Sequence, residues 1–265
     1  SGVARSRTPP ILGTNVYTPR SEPSAMNLRQ AFGPGDVVAV VRAGGKKSTL
    51  YALAAALDSA VVTATVRIPL FDEQVSALRV THDPERAVRE VDARPLGVVP
   101  DRDGDRSRYL GYDPETIDAP AASTDDTILI KAAGARTRLF KAPNDDEPQV
   151  PGSTDLLLPV ASVQAVGEPL DSESVHRPER VAALTDLSLG DPIRPEDLVT
   201  VLTHDEGGLK GRPEGTRIVP LVNMVDDADL EATARPVASD VCASPRVDRV
   251  VLGRMDRGRV VDVVE

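Results

Sequence analysis

Unbroken apolar runs alternate along this chain with stretches of helix-forming residues. Residues 36–41 read DVVAVV, residues 127–131 read TILIK and residues 155–160 read DLLLPV. Short β-branched runs without polar alternation predict strands covered on both faces, as in a parallel sheet. Residues 47–58, KSTLYALAAALD, are rich in Ala and Leu and predict a helix. Residues 60–65 (AVVTAT) and 95–100 (PLGVVP) read as further strands, the latter followed by a polar loop, DRDGDRSR. Asp83 before Pro84 is a helix cap for PERAVREV, and the prolines of RPERVAALT (from 177) and RPEDLVTVL (from 194) mark two more helix starts. Residues 217–222, RIVPLV, predict a strand that leads into a turn and helix, NMVDDADLEATA; VDRVVLGRM and GRVVDVVE read as late strands. Strand–helix alternation throughout predicts an α/β fold with a largely parallel sheet flanked by helices. Residues 26–265 read as one domain with a small helical subregion around 170–215. Residues 1–25 are rich in Pro, Ser, Thr and Arg, show no periodicity, and predict a flexible tail, with Met26 a candidate start.

Composition narrows the core and the setting. Hydrophobic residues make up 40% of the 265, aromatics only 3%, and tryptophan is absent, so the core must be Val, Leu, Ile and Ala. No apolar run approaches the roughly 18 residues of a membrane span, and the N-terminus reads as neither secretory signal nor anchor; a cytoplasmic protein is expected. The net charge of −10 repels nucleic acid and anionic membranes. A lone Cys242 excludes an internal disulfide, and it reads as structural. His82, His176 and His204 are scattered in sequence and read as surface or capping residues rather than metal ligands.

The basic residues are unevenly chosen. Lysine and arginine total 31, yet only five are lysine: Lys46, Lys47, Lys131, Lys141 and Lys210. An acid-rich, lysine-poor chain suits a halophile's cytoplasm, where salt screens self-repulsion. In such a chain a retained lysine points to a need for a compact point charge, and these five fall in glycine-containing or strand-end segments. Lys46 and Lys47 lie in RAGGKKSTLY, between the first strand and its helix. A phosphate-binding loop reads G-x-x-x-x-G-K-[ST]. Here Gly45-Lys46 fit, the first glycine position is Val40, and Lys47 separates Lys46 from Ser48 and Thr49. A plain glycine turn is the alternative. Two lysines at a helix N-terminus oppose the macrodipole unless an anion neutralises them, which favours a phosphate site. Its candidate residues are Gly44, Gly45, Lys46, Lys47, Ser48 and Thr49. Asn223-Met224-Val225-Asp226 follows a strand; Asn223 and Asp226 are candidate base-reading residues of a GTP-type site, or a turn with an Asp helix cap.

Together the segments RAGGKKST, VVTATVRIP, KAAGARTRLFKAPNDDEP, SVHRPER, HDEGGLKGRP and PLVNMVDD resemble, in order, the motifs of the YqeC family, from about residue 30 to about 226. The resemblance implies a P-loop NTPase-like fold. It also implies a nucleotide-binding accessory protein, with ATP or GTP and Mg²⁺ as cofactors, that assists maturation of selenium-dependent molybdenum hydroxylases. Where the family carries Gly, Thr and E-A-D-G, this chain has Arg42, Lys47 and Lys131-Ala132-Ala133-Gly134. Both acids that would organise Mg²⁺ are gone, so hydrolysis is not expected; Ser48 is the one candidate metal ligand, and Lys131 and Arg42 are added anion contacts. Asp72 and Glu73 are the nearest substitute carboxylates, and Asp125 and Asp126 lie at the wrong end of their strand. Lys141 faces the site or pairs with Asp145 or Asp146. His176 and Arg177 bind an anion or merely open a helix, and Lys210 and Arg212 close over phosphate or form a surface turn. The alternative function is a non-catalytic interaction protein that keeps the fold and has retired its nucleotide site.

Overall fold

The computed structural model describes residues 27–104 and 107–265; the predicted tail, residues 1–25, lies outside the described residues. Among the described residues the main sheet has ten strands, and nine of them form one continuous path: β1 (Val37–Arg42), β2 (Ala60–Ala64), β3 (Ala77–Val80), β4 (Leu96–Val99), β5 (Thr127–Lys131), β6 (Leu156–Ser162), β7 (Leu221–Asn223), β8 (Val250–Arg254) and β9 (Arg259–Val264). Their order is β9-β8-β7-β6-β1-β5-β2-β4-β3. Every pairing is parallel except β8 with β9, so this is an α/β fold built on a largely parallel sheet. All six residues of β1 and all seven of β6 are buried, as apolar strands covered on both faces must be.

Six helices matter for the layers: α1 (Leu28–Phe32), α2 (Lys46–Ala56), α3 (Pro84–Glu90), α4 (Pro178–Ala182), α5 (Pro195–Thr203) and α6 (Ala228–Cys242). Leu50 and Leu53 of α2 pack with Phe32, Val40 and Leu158 on one face. Val201 of α5 and Val237 of α6 pack with Val222 and Leu252 on the other. The predicted caps form: Asp83 accepts from the Arg86 amide at 3.0 Å. The helical subregion expected around 170–215 holds α4 and α5, joined by loops. Among the described residues no helix is long and apolar enough to cross a membrane.

Three features depart from the expected elements. β3 was not anticipated, because it is a half-exposed edge strand without an apolar run. The strand expected at 217–222 is split: Arg217–Ile218 and Leu221–Asn223 both pair with β6, and Pro220, lacking an N–H, falls in the gap. Phe140–Lys141 pairs with Val175–His176 in a two-residue ladder too short to leave a sequence pattern.

The order of the strands positions the site. From β1 the chain moves to β2 on one side; from β5 it crosses over β1 to β6 on the other. The carboxyl end of β1 is therefore a topological switch point, where open α/β sheets hold ligands.

Candidate functional site

The chain leaves β1 through Arg42, Ala43, Gly44 and Gly45 and enters α2 at Lys46. Gly44 and Gly45 have φ of 85° and 110°. At Gly44 a Cβ would lie 2.4 Å from the Ser162 amide nitrogen, and at Gly45 2.2 Å from Asn223 Nδ2, so neither position admits a side chain. The turn is held from below. Asn223 Nδ2 donates to the Gly44 carbonyl at 2.8 Å, while its Oδ1 accepts from the Met255 amide at 3.0 Å. The Gly44 amide donates to the Arg138 carbonyl at 3.1 Å, and Thr49 Oγ1 donates to the Gly45 carbonyl at 3.0 Å. The first helical bond is that from the Thr49 amide to Gly45 O, so the Lys46, Lys47 and Ser48 amides have no intrahelical partner.

Those residues open into a cavity of about 590 Å³. Gly44, Gly45, Lys46, Lys47 and Ser48 line it. So do Arg67, Arg108, Lys131, Arg136, Arg138 and Arg177, with His176 and Met224. Eight cationic side chains thus line the cavity beside a single carboxylate, Glu147. Lys47, Arg108, Arg136 and Arg138 have no ion-pair partner among the described residues, although the chain carries an acidic excess of ten. The strained backbone gathers here too. Of the five non-glycine residues with positive φ among the described residues, Arg136, Thr137, Arg177 and Met224 line the cavity and Arg42 leads into its loop. Such residues persist where surrounding structure over-determines them, most often at functional sites.

The buried charges depress one another. Lys46 is turned back onto the Arg42 carbonyl, and Lys131 onto the Arg67 carbonyl. Burial, then the charges of Lys131 and Lys141, lowers the Lys46 ammonium well below its usual pKa. Burial and the Lys141 charge bring Lys131 to about 8. Lys141 also falls to about 8, because burial outweighs the Glu147 contact. His176 drops to about 4 through burial and the neighbouring Lys141 and Arg177, so it is a neutral imidazole at pH 7. Burial pushes Glu147 up, but hydrogen bonds from Lys141 and Arg177 more than offset it, and the carboxyl titrates below its ordinary value.

Several expected residues lie elsewhere. Thr49 is buried beneath the loop. Asn223 spends both polar atoms bracing the loop and does not line the cavity. Asp226 faces Gln164 Nε2 at 2.7 Å and Arg254 at 3.2 Å, also outside it; the helix cap is the next residue, Asp227. Arg42 is fully buried, with Nη2 3.4 Å from the Lys210 carbonyl and Nε and Nη1 unpartnered, and it makes no contact with the cavity. Asp72 accepts from the Tyr109 hydroxyl at 2.8 Å and, like Glu73, is not on the cavity wall, so neither substitutes for the missing acids. Lys141 pairs with Glu147, not with Asp145 or Asp146, because Asp145 is taken by Arg180 at 3.0 Å. Lys210 pairs with Glu206 at 2.8 Å in a loop whose Gly208 packs onto the Leu202 carbonyl, so that segment caps α5 and does not close over the cavity. Sequence reasoning did not single out Arg67, Arg108, Arg136, Arg138 or Glu147. Their one signal was that Arg67, Arg136, Arg138 and Glu147 fall in family-like segments.

The sequence profile of the YqeC protein family matches residues 38–179, which includes β1, the loop, Lys131, Glu147 and Arg177. The chain is 31% identical over 201 residues to the uncharacterized protein YqeC of Escherichia coli (strain K12), covering 73% of this chain and 77% of that one. With the motif order, the profile match and this relative in agreement, the chain belongs to the YqeC family.

Proposed function

We propose that the protein is a nucleotide-binding accessory protein. It holds the polyphosphate of ATP or GTP at the P-loop-like turn of Gly44, Gly45, Lys46, Lys47 and Ser48, with Lys131 lining the same cavity. One observation carries this reading: three amides of the α2 N-terminus without helical partners and two buried lysines share one cavity at the carboxyl end of β1. Unpaired N–H groups and the positive end of the helix dipole attract anions. Lys46 and Lys131 rest on backbone carbonyls and can turn to a phosphate, which would restore the protonation that burial suppresses.

The donor set fits an anion and does not fit a divalent cation held by the protein. Ser48 offers one hydroxyl, and the single lining carboxylate, Glu147, is engaged by Lys141 and by Arg177 at 2.6 Å. Mg²⁺ would therefore enter with the nucleotide and be held by its phosphates. We assign no hydrolytic step, since Lys131 and Ala133 stand where the family's acids are expected. The role in maturation of selenium-dependent molybdenum hydroxylases, with such an enzyme or its maturation factors as partner and the cytoplasm as location, follows from family membership as read in the sequence.

The test is calorimetric titration of ATP and GTP, with Mg²⁺ and with EDTA, into the full chain in concentrated KCl. The reading expects binding in both metal conditions and at least a tenfold loss in Lys46→Ala. Absence of binding in the parent overturns it. If Lys131→Glu with Ala133→Asp then creates Mg²⁺-dependent binding, the interaction protein with a retired site takes its place.

A further inference from the structure

We infer that the turn over residues 135–138 supplies two further ligands of the proposed nucleotide site: Arg136 and Arg138 grip the same polyphosphate that the Gly44–Ser48 loop receives. The inference rests on the nucleotide reading, and its test tells the failure of one from the failure of the other.

The turn is built against the local preferences of its sequence. The Arg138 amide donates to the Ala135 carbonyl at 2.9 Å, which closes a four-residue turn with Arg136 and Thr137 at its centre. Both central residues have positive φ, 48° and 64°. Turns with positive φ at both central places favour Asn and Gly, because a Cβ is crowded in the left-handed region. The turn itself therefore does not account for an Arg-Thr pair. Strain of this kind persists where surrounding structure holds it and the side chains serve a site. The holding contacts are present on both flanks. Before the turn, Glu147 accepts from the Gly134 amide at 3.4 Å and Lys141 donates to the Gly134 carbonyl. After it, the Leu139 amide donates to the Ser174 carbonyl at 3.0 Å.

The turn also touches the glycine loop directly. The Gly44 amide donates to the Arg138 carbonyl at 3.1 Å. The Ser162 amide, against which Gly44 packs, donates to the Leu139 carbonyl at 3.1 Å. Arg138 is thus bonded to the loop just ahead of Gly45 and the open amides of Lys46, Lys47 and Ser48, and its side chain lines the same cavity as theirs. The attraction of a helix N-terminus falls off within its first turn, so α2 neutralises only part of a polyphosphate. The rest of that charge needs cations from another segment. Arg136 and Arg138 line the cavity without an ion-pair partner among the described residues, and their planar forks match paired phosphate oxygens. Arg177 is less available, because Glu147 engages it at 2.6 Å.

The test is calorimetric titration of ATP and of inorganic tripolyphosphate into the full chain in about 1 M KCl, where a Debye length of about 3 Å leaves only contacts between charges. Arg136→Gln combined with Arg138→Gln should weaken both ligands at least tenfold. Arg180→Gln makes the same kind of charge change at a residue paired with Asp145 at 3.0 Å outside the cavity, and should leave both within twofold. Arg136→Asn suits the left-handed backbone, so it should raise the unfolding midpoint of the ligand-free protein while still weakening ATP at least threefold. If the glutamine pair leaves both ligands within twofold while Lys46→Ala loses them, the inference is overturned and the nucleotide reading stands. A lower midpoint in Arg136→Asn also overturns it, since the arginine would then be part of the scaffold. If the wild type binds tripolyphosphate through the two arginines and does not bind ATP, the nucleotide reading fails and the arginine grip stands. No binding of either ligand to the wild type overturns both.

Discussion

Replacing Asn223 by alanine separates a brace from a base reader. Asn223 is 2% exposed, and its amide joins two backbone groups from different elements, the Gly44 carbonyl at 2.8 Å and the Met255 amide at 3.0 Å. Asn223→Ala leaves both without a partner in a dry setting. An unsatisfied buried polar group costs about 1–3 kcal/mol, so the pair should cost about 2–6 kcal/mol. For a domain of this size each kcal/mol lowers Tm by about 2–4 °C, which gives a fall of roughly 4–24 °C. The Gly44–Gly45 turn should also relax, so pyrophosphate, ATP and GTP should all bind more weakly and by similar factors. Urea unfolding and calorimetry with the three ligands measure this directly. A base reader behaves differently: stability is retained, pyrophosphate binding is unchanged, and only the choice between ATP and GTP moves. That second pattern would refute the bracing role.

Further outcomes follow from the same geometry. Gly44→Ala places a methyl 2.4 Å from the Ser162 nitrogen at φ 85°, and should destabilise by several kcal/mol and abolish anion binding, as read by thermal unfolding and titration. Stability of the ligand-free protein should rise between pH 8 and pH 10.5. Lys131 and Lys141 titrate near 8 when folded against 10.5 in the open chain, so in that window the unfolded state binds more protons. The full effect is about 3 kcal/mol per lysine if each titrates alone, and Lys131→Met should reduce the slope in urea unfolding. Anion affinity has the opposite sign: steady below pH 8, it should weaken above it as these lysines lose their protons, and a flat profile from pH 7 to 9.5 would count against their involvement. Asp72→Asn should leave nucleotide affinity within twofold, with or without Mg²⁺, because its carboxylate serves the Tyr109 hydroxyl.

The central strands were legible because burial on both faces forces an unbroken apolar run, and TILIK is strand from Thr127 to Lys131 as read. β3 was illegible because an edge strand needs no such run, and its residues are half-exposed. At the loop, Gly44 and Gly45 were legible because a tight turn before a helix demands glycine, and Lys46 follows them onto the cavity wall. The errors concern partners. Asn223 and Asp226 read as a nucleotide motif, yet the motif's spacing is also what a brace followed by a helix start requires. Lys141 was matched to Asp145 or Asp146, whereas its partner is Glu147, which also accepts from the Gly134 amide, and Asp145 is taken by Arg180.

Lysine choice was the most informative signal, and its physical basis is now visible. Lys46, Lys47 and Lys131 line the cavity, Lys141 clamps the segment beside it, and Lys210 offers its carbonyl to Arg42 behind it. An arginine in place of Lys46 or Lys131 could not lose its proton, so it would confine a permanent charge beside other buried cations. A buried lysine can give up its proton and regain it when an anion arrives. Burial lowers Lys46 well below its usual pKa and brings Lys131 and Lys141 to about 8, which leaves the latter two largely charged at pH 7. Arg136 and Arg138 meet a different requirement, since the water around them already stabilises their charge. On the cavity wall, from which the fully buried Arg42 is absent, the division between buried lysine and more exposed arginine therefore follows from solvation.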